Sequence, residues 1–415
     1  MEVKIGDSIN YAQSVSRISK YKHSKILPVT GGQEVKILDT ANVTSFELPV
    51  QTYNLSDSFF NFTMSLPPSG TDDVFTVIYR DIIPFERLEL YTRGGVYLAD
   101  ITNCAHWGRI VLPRTKKVED FLASYNDTLT PVSSDENAPA TTNLANNADN
   151  IVQIQLSGRE MLDCIFGLNK SIFIPEVVNL RITWLTRNSI GYEVDTTADP
   201  GDPTQWIYQD LTGELKVSDL SYYLAIEQNE MVEQDLKQQV MNEGGMQLMF
   251  PASFMYKNNL PAGAQHSITV RMGRGNGINF EKVTTLPINA NESKNKRYNS
   301  ALPSINSLYS LLNSQRQTEF DIDIQNKEDI AVQRSQIRDT VYGMYDNRDS
   351  YFSWCDNWCN NSQGCAVKQM SVGLSLNNEV KYDLYLSIGN DEVNYYTNVV
   401  TQRMMIITPQ AVEVQ

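Results

Sequence analysis

The stretch LSGREMLDCIFGLNKSIFIPEVVNLRITWL, from Leu156 to Leu185, combines a helix signal with strand signals. Ser157 and Glu160 have the S-x-x-E spacing of a capping box, in which each side chain satisfies a free backbone N–H at the start of a helix. Gly167 is placed to end that helix. From Val178 to Trp184 apolar and polar residues alternate, which is typical of a strand with one buried face. The stretch therefore predicts a short helix that leads into a β-strand.

The sequence before this stretch is dominated by strand signals. Short segments rich in β-branched and aromatic residues, several of them alternating, lie at 43–50, 58–66, 73–80, 85–92 and 151–156. The segments 126–150 and 195–205 are polar and contain almost no large apolar side chain. Both are predicted to be long exposed loops at the end of a β-sandwich.

The middle of the chain, residues 215–245, has a strand pattern followed by a helix pattern. Apolar residues alternate from Leu220 to Ile226, and Asn229 can cap a helix whose first turn contains acidic residues. Within that helix, apolar residues recur every four positions, and Gly244 and Gly245 follow it. We interpret this segment as the connection between two domains.

The second half, like the first, consists mainly of predicted strands with a short predicted helix. Strands are predicted at 246–256 and 266–273, and a helix is predicted over 302–314, where Ile305, Leu308, Tyr309 and Leu312 share one helical face. The C-terminal segments 366–376, 380–388 and 398–407 are predicted to form a three-stranded meander with turns at Asn377-Asn378 and at 389–391. Each half is thus predicted to be a β-sandwich with a short helix between two of its later strands.

The composition and charge of the chain argue against several classes of protein. The 415 residues carry a net charge of −15, which argues against wrapping nucleic acid or docking on an anionic membrane. No apolar run approaches the roughly 20 residues of a membrane span, and residues 1–25 lack the apolar region of a secretory signal. Those 25 residues carry five basic against two acidic side chains, so the N-terminal arm is basic in an acidic chain. Five cysteines without a signal peptide indicate reduced thiols.

Four segments together resemble the double jelly-roll major capsid proteins, the lineage shared by tectiviruses, adenovirus hexons, virophages and polinton-like viruses. They are the opening stretch with its strand of form L-x-I-x-W, LKVSDLSYYLAIEQNEMVEQDLKQQV, GINFEKVTTLP and KYDLYLSIGNDEVNYYTNVVTQRMMII. The resemblance implies an all-β fold of two consecutive eight-stranded antiparallel jelly rolls with short inserted helices. It places an N-terminal arm at 1–28, the first roll at 29–214, the connecting strand and helix at 215–245 and the second roll at 246–415.

The same resemblance implies a structural role in a virion capsid assembled inside a host cell. Three subunits would form a pseudo-hexagonal capsomer of an icosahedral shell, with neighbouring capsomers and minor capsid and vertex proteins as partners. The N-terminal arm could contact an internal membrane, and no direct sequence-specific contact with nucleic acid is expected. The alternatives are a carbohydrate-binding or glycan-cleaving protein built from two sandwiches, and a viral vertex or attachment protein.

No catalytic residue, cofactor or metal site is predicted, although four groups of residues were candidates. His23, His106 and His266 have no ligand partner at helical or strand spacing. The glycines of MGRGNGINF, Gly273, Gly275 and Gly277, have neither dinucleotide nor P-loop spacing and predict a turn. Asp321 and Asp323 lack the glycine and glutamate of a calcium loop, so a strand with an acidic face is expected.

The stretch YFSWCDNWCNNSQGC, residues 351–365, is the fourth candidate. Cys355, Cys359 and Cys365 could bind zinc or form a disulfide, but a fourth ligand is missing nearby. The aromatic residues of the stretch could stack on a sugar, or could pack within the roll or between subunits. They are Tyr351, Phe352, Trp354 and Trp358.

Overall fold

A computed structural model describes most of the chain. The described residues are 19–37, 40, 42–65, 74–79, 82–115, 130–131, 141–143, 151–198, 205–242, 244–290, 294, 297–298, 304–317, 320–323, 354–359 and 373–415.

The described residues up to Glu227 form fifteen strands, all of which pair antiparallel. They are β1 (Tyr21–Ile26), β2 (Val35–Ile37), β3 (Val43–Leu48), β4 (Thr52–Ser65), β5 (Val74–Tyr79), β6 (Phe85–Thr92), β7 (Tyr97–Thr102), β8 (Thr130–Pro131), β9 (Thr141–Asn143), β10 (Ile151–Ser157), β11 (Ser171–Phe173), β12 (Val178–Trp184), β13 (Gly191–Asp195), β14 (Ile207–Gln209) and β15 (Leu215–Glu227). Over the described residues the α-helices are α1 (Cys104–Thr115), α2 (Arg187–Ile190) and α3 (Glu230–Met241).

The remaining described residues form eleven strands. They are β16 (Met246–Leu260), β17 (Gln265–Met272), β18 (Asn279–Asn289), β19 (Ile305–Leu312), β20 (Gln315–Arg316), β21 (Ile322–Asp323), β22 (Trp354–Asn357), β23 (Leu374–Ser375), β24 (Val380–Ile388), β25 (Val393–Ile407) and β26 (Val412–Val414).

The strands before α3 form three sheets. Sheet 1 has the order β1-β15-β4-β10, with β2 added to β15 and β11 added to β4, and sheet 2 has the order β3-β12-β6-β7. Sheet 3, with the order β14-β13-β5-β9-β8, is built from the connecting segments. Sheets 1 and 2 face each other across a core in which Phe60 of β4 meets Phe85 of β6 at a ring-centroid distance of 5.4 Å. They are therefore the two layers of a sandwich.

The strands after α3 repeat this arrangement. Sheet 4 has the order β16-β25-β18-β22, with β23 added to β18 and β26 added to β25. Sheet 5 has the order β17-β24-β19-β20, with β21 added to β19. The eight main strands of each half are those in the printed orders of its two sandwich sheets, without the added strands. Numbered along the chain, they have the order first, eighth, third, sixth in one sheet and second, seventh, fourth, fifth in the other. Both halves follow this order. This is the strand order of a jelly roll, so the chain is a double jelly roll, as the family resemblance implied.

The predicted strand of the opening stretch is confirmed. Val178, Leu180, Ile182 and Trp184 are fully buried, and the residues between them are partly exposed. The predicted helix is wrong in type. The capping box of Ser157 and Glu160 is present, but it starts a single 3-10 turn at Gly158–Glu160, and a second 3-10 turn follows at Ile165–Gly167. Asp163, between the two turns, has a φ of 67°, which interrupts any continuous helix.

The helix predicted over 302–314 is wrong, because Ile305–Leu312 is strand β19. Leu308 and Leu312 lie opposite Leu386 and Tyr382 of β24, and this pairing decides between two patterns that the sequence satisfies equally well. The predicted C-terminal meander is also wrong. Strands β24 and β25 are consecutive in the chain but belong to different sheets, and β23 pairs with β18.

The predicted loops fall partly outside the described residues. Within 126–150, the described residues 130–131 and 141–143 form β8 and β9, which extend sheet 3 beside β5, so this segment is not wholly irregular. Of 195–205, the residues 199–204 lie outside the described part. Helix α1 was not predicted, since Asn103 precedes it with a φ of 52° and no acidic residue occupies its first turn. Over the described residues, no helix combines the length and apolar character that crossing a membrane requires.

Sheet 4 is covered on both faces. Tyr395 and Tyr396 are neighbours on β25 and therefore point to opposite faces. Tyr395 lies in the core of the second sandwich, between sheets 4 and 5. Tyr396 belongs instead to the large apolar cluster of the first sandwich, which also takes in Leu286 and Ile288 of β18. The apolar cluster of the first sandwich therefore continues onto the outer face of sheet 4 and is shared by the two halves, whereas the core of the second sandwich is a separate cluster.

Candidate functional site

The cysteine and tryptophan cluster lies in the core of the second sandwich. Trp354, Cys355, Trp358 and Cys359 are at most 1% exposed. The Trp358 ring contacts Phe280 at 5.3 Å and Tyr382 at 6.0 Å. Because neither tryptophan presents a ring face to solvent, this cluster does not form a platform on which a sugar could stack. Tyr351, Phe352 and Cys365 lie outside the described residues.

The polar atoms of this cluster are satisfied internally. The Trp354 indole and the Tyr382 hydroxyl both donate to Asp356 Oδ2, at 3.1 and 2.6 Å. The thiols of Cys355 and Cys359 are reduced and lie in different polar contacts, Cys355 with Thr284 and Cys359 with Glu281. Among the described residues, no three His, Cys, Asp or Glu side chains converge as metal ligands would. The arrangement is that of a packed core.

The three histidines are far apart in the structure. His23 is exposed on β1, with Nε2 3.0 Å from the carbonyl of Asp57, and His266 Nε2 lies 2.9 Å from the carbonyl of Pro261. His106 lies on α1 and stacks on Tyr396 at a centroid distance of 3.7 Å. The structure brings none of the three histidines together with another.

The glycines of 273–277 form the predicted turn. Asn276 N donates to the carbonyl of Gly273 at 3.1 Å, and Ile278 N donates to that of Gln402 at 2.6 Å. Gly277 has a φ of 144°, and a Cβ there would lie 2.7 Å from the carbonyl oxygen of Gln402, so the close approach to β25 requires glycine. Asp323 lies on β21, and Asp321 pairs with Arg316.

The most elaborate polar contacts join the two sandwiches. Trp107 of α1 donates its indole N–H to Ser253 Oγ of β16 at 3.1 Å, and Ser253 Oγ donates to the carbonyl of Asp163 at 2.8 Å. The carboxylate of Asp163 lies 2.5 Å from the ammonium of Lys282 on β18. Asn398 of β25 also donates to this carboxylate, at 3.5 Å. These residues connect the 3-10 turns and α1 of the first half with three strands of sheet 4.

A second set of contacts joins the halves around Arg109 of α1. Tyr298 donates to the carbonyl of Ser189 at 2.8 Å, and its own carbonyl accepts from Arg109 Nε at 3.2 Å. Tyr79 donates to the carbonyl of Lys294 at 2.6 Å, and its ring meets that of Tyr298 at 4.8 Å. The rings of Tyr79 and Tyr298 thus pack at the interface between the halves, and the Tyr298 ring also contacts His106.

Burial shifts the pKa of two groups at this interface. Desolvation raises the pKa of Glu281, which neighbours Lys282 and accepts from the Cys359 thiol at 3.6 Å. Burial is also the largest cause that lowers the pKa of His106 well below its usual value. The charges of Arg297, Lys257 and Arg109 lower it further. His106 is therefore neutral near neutral pH.

The outer sheet faces carry partly exposed aromatic and charged groups. Phe59 stacks on Tyr223 on the outer face of sheet 1 at 4.9 Å, and Tyr309 stacks on Tyr385 on that of sheet 5 at 4.8 Å. On sheet 2, Arg87 donates two parallel hydrogen bonds to the carboxylate of Asp100, at 2.7 and 2.8 Å. Such half-buried aromatic and arginine side chains are enriched where protein subunits meet.

The sequence did not predict the residues of the interface. Asp163 and Lys282 are about 120 residues apart, a separation over which local patterns carry no pairing information. One signal was available. Lys282 falls within the apolar strand NFEKVTTLPIN, where a charged side chain implies either an exposed face or a buried partner. The structure shows a buried partner.

Comparison with solved structures shows the same fold over nearly the whole chain. PBCV-1 VP54, as fitted into a reconstruction of the virophage Sputnik, matches with a TM-score of 0.58 and 9% identity, covering 96% of this chain and 97% of that one. A quasi-atomic model of the PBCV-1 virus capsid matches with a TM-score of 0.57, 9% identity and the same coverage. The Faustovirus major capsid protein matches with a TM-score of 0.55 and 10% identity, covering 94% and 91%.

At the level of sequence, no family model matches the chain, and no curated protein is similar enough to match. The likeness to these viral proteins is therefore one of fold.

Proposed function

We propose that this protein is the major capsid protein of an icosahedral virus and acts as a structural component of the virion rather than as an enzyme. One observation carries the proposal. The jelly-roll strand order occurs twice in one chain, and solved structures that share the fold along more than nine-tenths of both chains include a virus capsid and a major capsid protein. Among the candidate sugar-binding and metal-binding residues that the structure describes, Trp354, Cys355, Trp358 and Cys359 are packed in a core instead.

The proposed unit of assembly is a homotrimer. Two similar sandwiches in each subunit give a trimer six similar wedges, so that the capsomer approximates a hexagon and can tile a flat facet. The partly exposed stacks Phe59–Tyr223 and Tyr309–Tyr385 lie on outer faces of different halves, where contacts with neighbouring copies would bury them. The trimers would contact neighbouring capsomers together with minor capsid and vertex proteins.

The division of the chain into an arm (1–28), two rolls (29–214 and 246–415) and a connection (215–245) is part of this proposal. The strand orders favour one refinement. β1 and β15 are the first and eighth strands of the first roll, and they pair with each other from Tyr21–Glu227 to Ile26–Tyr222. The arm that could reach an internal membrane would then be residues 1–20, and Lys22 and Lys25 would belong to β1.

Light scattering coupled to size-exclusion chromatography tests the proposal. We expect the purified full-length protein to elute with three times the mass of one chain, and electron micrographs to show threefold particles with a hexagonal outline. Tyr309→Ala paired with Tyr385→Ala is expected to weaken the trimer without changing the fold. A protein that remains a monomer at high concentration, and that is absent from particles of its virus, would refute the proposal.

A further inference from the structure

The second roll is held against the first through the outer face of sheet 4. On this face Tyr396, on the eighth strand of the second roll, is covered by the ring of His106 from α1 at a centroid distance of 3.7 Å. In addition β7, the fifth strand of the first roll, packs against β16, the first strand of the second roll. Elements of one roll thus cover the eighth and first strands of the other.

The outer face of sheet 1 carries the same row of side chains. Tyr223, on the eighth strand of the first roll, lies opposite Lys25 of the first strand and Phe59 of the third. Residues that lie directly opposite each other in antiparallel strands point to the same face. The corresponding row on sheet 4, taken from the first, eighth and third strands, is Lys257, Tyr396 and Leu286. Each roll therefore presents a lysine, a tyrosine and a large apolar residue on the same three strands of the equivalent sheet.

The two rows differ in what covers them. Among the described residues, the half-buried rings of Phe59 and Tyr223 contact each other at 4.9 Å, and Phe59 contacts His23 of the same sheet at 5.4 Å. Next along β4 lies an uncharged group, in which Asn61 Oδ1 accepts from Gln153 at 3.1 Å. The cores of protein interfaces are enriched in aromatic residues and depleted of charged ones. The middle of this face is therefore suited to contact with a protein surface.

We propose that the second roll of a neighbouring copy of this chain covers the outer face of sheet 1, just as the first roll covers the outer face of sheet 4 within one chain. The fifth strand of the neighbour's second roll, β20, then packs against β1, as β7 packs against β16. Both residues of β20, Gln315 and Arg316, are exposed. The guanidinium of Arg316 lies 4.4 Å from the centre of the Tyr309 ring, so this edge offers an arginine and an aromatic group to the contact.

The contact joins two different surfaces, the outer face of sheet 1 and the β20 edge of sheet 5. Such a contact is heterologous, and repeated heterologous contacts close into a ring when the rotation between copies divides a full turn. With three copies, contacts within chains alternate with contacts between chains, so that each roll uses the equivalent face. This inference rests on the proposed homotrimer and deepens it by naming the two surfaces through which the copies meet.

The variant Asn61→Lys tests the contact, because it places a charge in the middle of the outer face of sheet 1. Asn179→Lys is the matched control, since Asn179 is also a partly exposed asparagine on an inner strand, but on the outer face of sheet 2. In light scattering coupled to size-exclusion chromatography, we expect Asn61→Lys to dissociate at concentrations at least tenfold higher than the wild type does. Asn179→Lys should match the wild type, and all three proteins should have the same circular dichroism.

Cross-linking of the full-length wild type is a second measurement that needs no variant. A lysine-reactive reagent should join Lys25, which is exposed, to lysines of 246–415, and the joined peptides should come from the gel band of two linked chains and not from that of one chain. The inference is overturned by a trimer in which Lys25 is joined only to the first roll of another chain, or in which Asn61→Lys behaves as Asn179→Lys does. Either result leaves the capsid proposal standing. A wild type that stays a monomer would refute the proposed homotrimer and this inference with it.

Discussion

At the residue scale, His106 shows how the interface between the two sandwiches depends on a neutral side chain. Its ring lies between Tyr396 and Tyr298, with centroid distances of 3.7 and 5.0 Å. The ammonium of Lys257 lies 5.7 Å from the centre of the Tyr396 ring, and the guanidinium of Arg297 lies 6.0 Å from that of Tyr298. A proton on His106 would add a cation to a group that already contains several.

We expect His106 to make the protein less stable in acid. Its folded pKa is lowered, so below about pH 6.5, the usual pKa of histidine, the unfolded chain binds a proton that the folded chain excludes. The free energy of unfolding then falls as the pH falls, by at most about 1.4 kcal/mol per pH unit from this residue. His106→Phe keeps an aromatic ring but cannot titrate, and it should reduce this slope.

Urea unfolding at several pH values between 5 and 8 measures the effect. The matched control is His23→Gln, because His23 is exposed and should leave the slope unchanged. If His106→Phe had the same pH dependence as the wild type, the neutral histidine would not contribute to the stability of the interface.

Residues that obey local rules were predictable, and residues that depend on the contact between halves were not. The capping box at Ser157, the glycine turn ending at Gly277 and the buried row from Val178 to Trp184 all follow from neighbours within a few positions. The burial of Lys282 requires knowledge of where a residue in the other half lies. The surroundings of His106 likewise depend on its stacking contact with Tyr396 of β25, in the other half of the chain.

At the element scale, α3 is the helix that the sequence described best. Asn229 caps it by accepting from Met231 N at 3.0 Å, and Glu230 and Glu233 lie in the first turn as predicted. Its apolar residues Val232 and Leu236 are buried against the shared core. Helix caps act locally, so the same pattern that predicted the helix also predicts what the cap contributes.

We expect Asn229→Ala to lower the free energy of unfolding by about 1 kcal/mol, because the N–H of Met231 loses its acceptor. Asn242→Ala is the matched control, since this residue sits at the opposite end of α3, where its side chain is exposed. It should change stability by less than about 0.5 kcal/mol. Thermal unfolding followed by circular dichroism compares the two variants, and equal effects would mean that the cap contributes nothing.

Strand β19 shows where sequence patterns become ambiguous. Ile305, Leu308 and Leu312 fit a helical face, but Leu308, Ser310 and Leu312 also fit the inner face of a strand. Pairing with β24 selects the strand, which buries Ser310 in the inner row. The prediction of a C-terminal meander was wrong for a related reason. In a jelly roll the seventh and eighth strands belong to opposite sheets, however short the turn between them.

At the scale of the whole molecule, the two jelly rolls are not independent domains. Met246, Leu248 and Phe250 of β16 belong to the same apolar cluster as Phe60 and Trp184 of the first roll. If the halves were separated, these side chains would meet water, and Lys282 would lose its buried partner. Breaking a buried ion pair costs about 3–5 kcal/mol, and each large apolar side chain that is exposed adds roughly 1.5–3 kcal/mol.

The fragment 246–415 is therefore expected not to fold on its own. Expressed alone, it should aggregate or bind the dye ANS, because the outer face of sheet 4 would be an exposed apolar patch. Co-expression with the fragment 1–245 should restore an equimolar soluble complex with the far-UV and near-UV circular dichroism of the intact chain. A fragment 246–415 that is soluble alone, unfolds cooperatively and has native near-UV signals would show instead that the second roll is stable by itself. The shared core would then contribute to how the rolls are oriented and not to whether they fold.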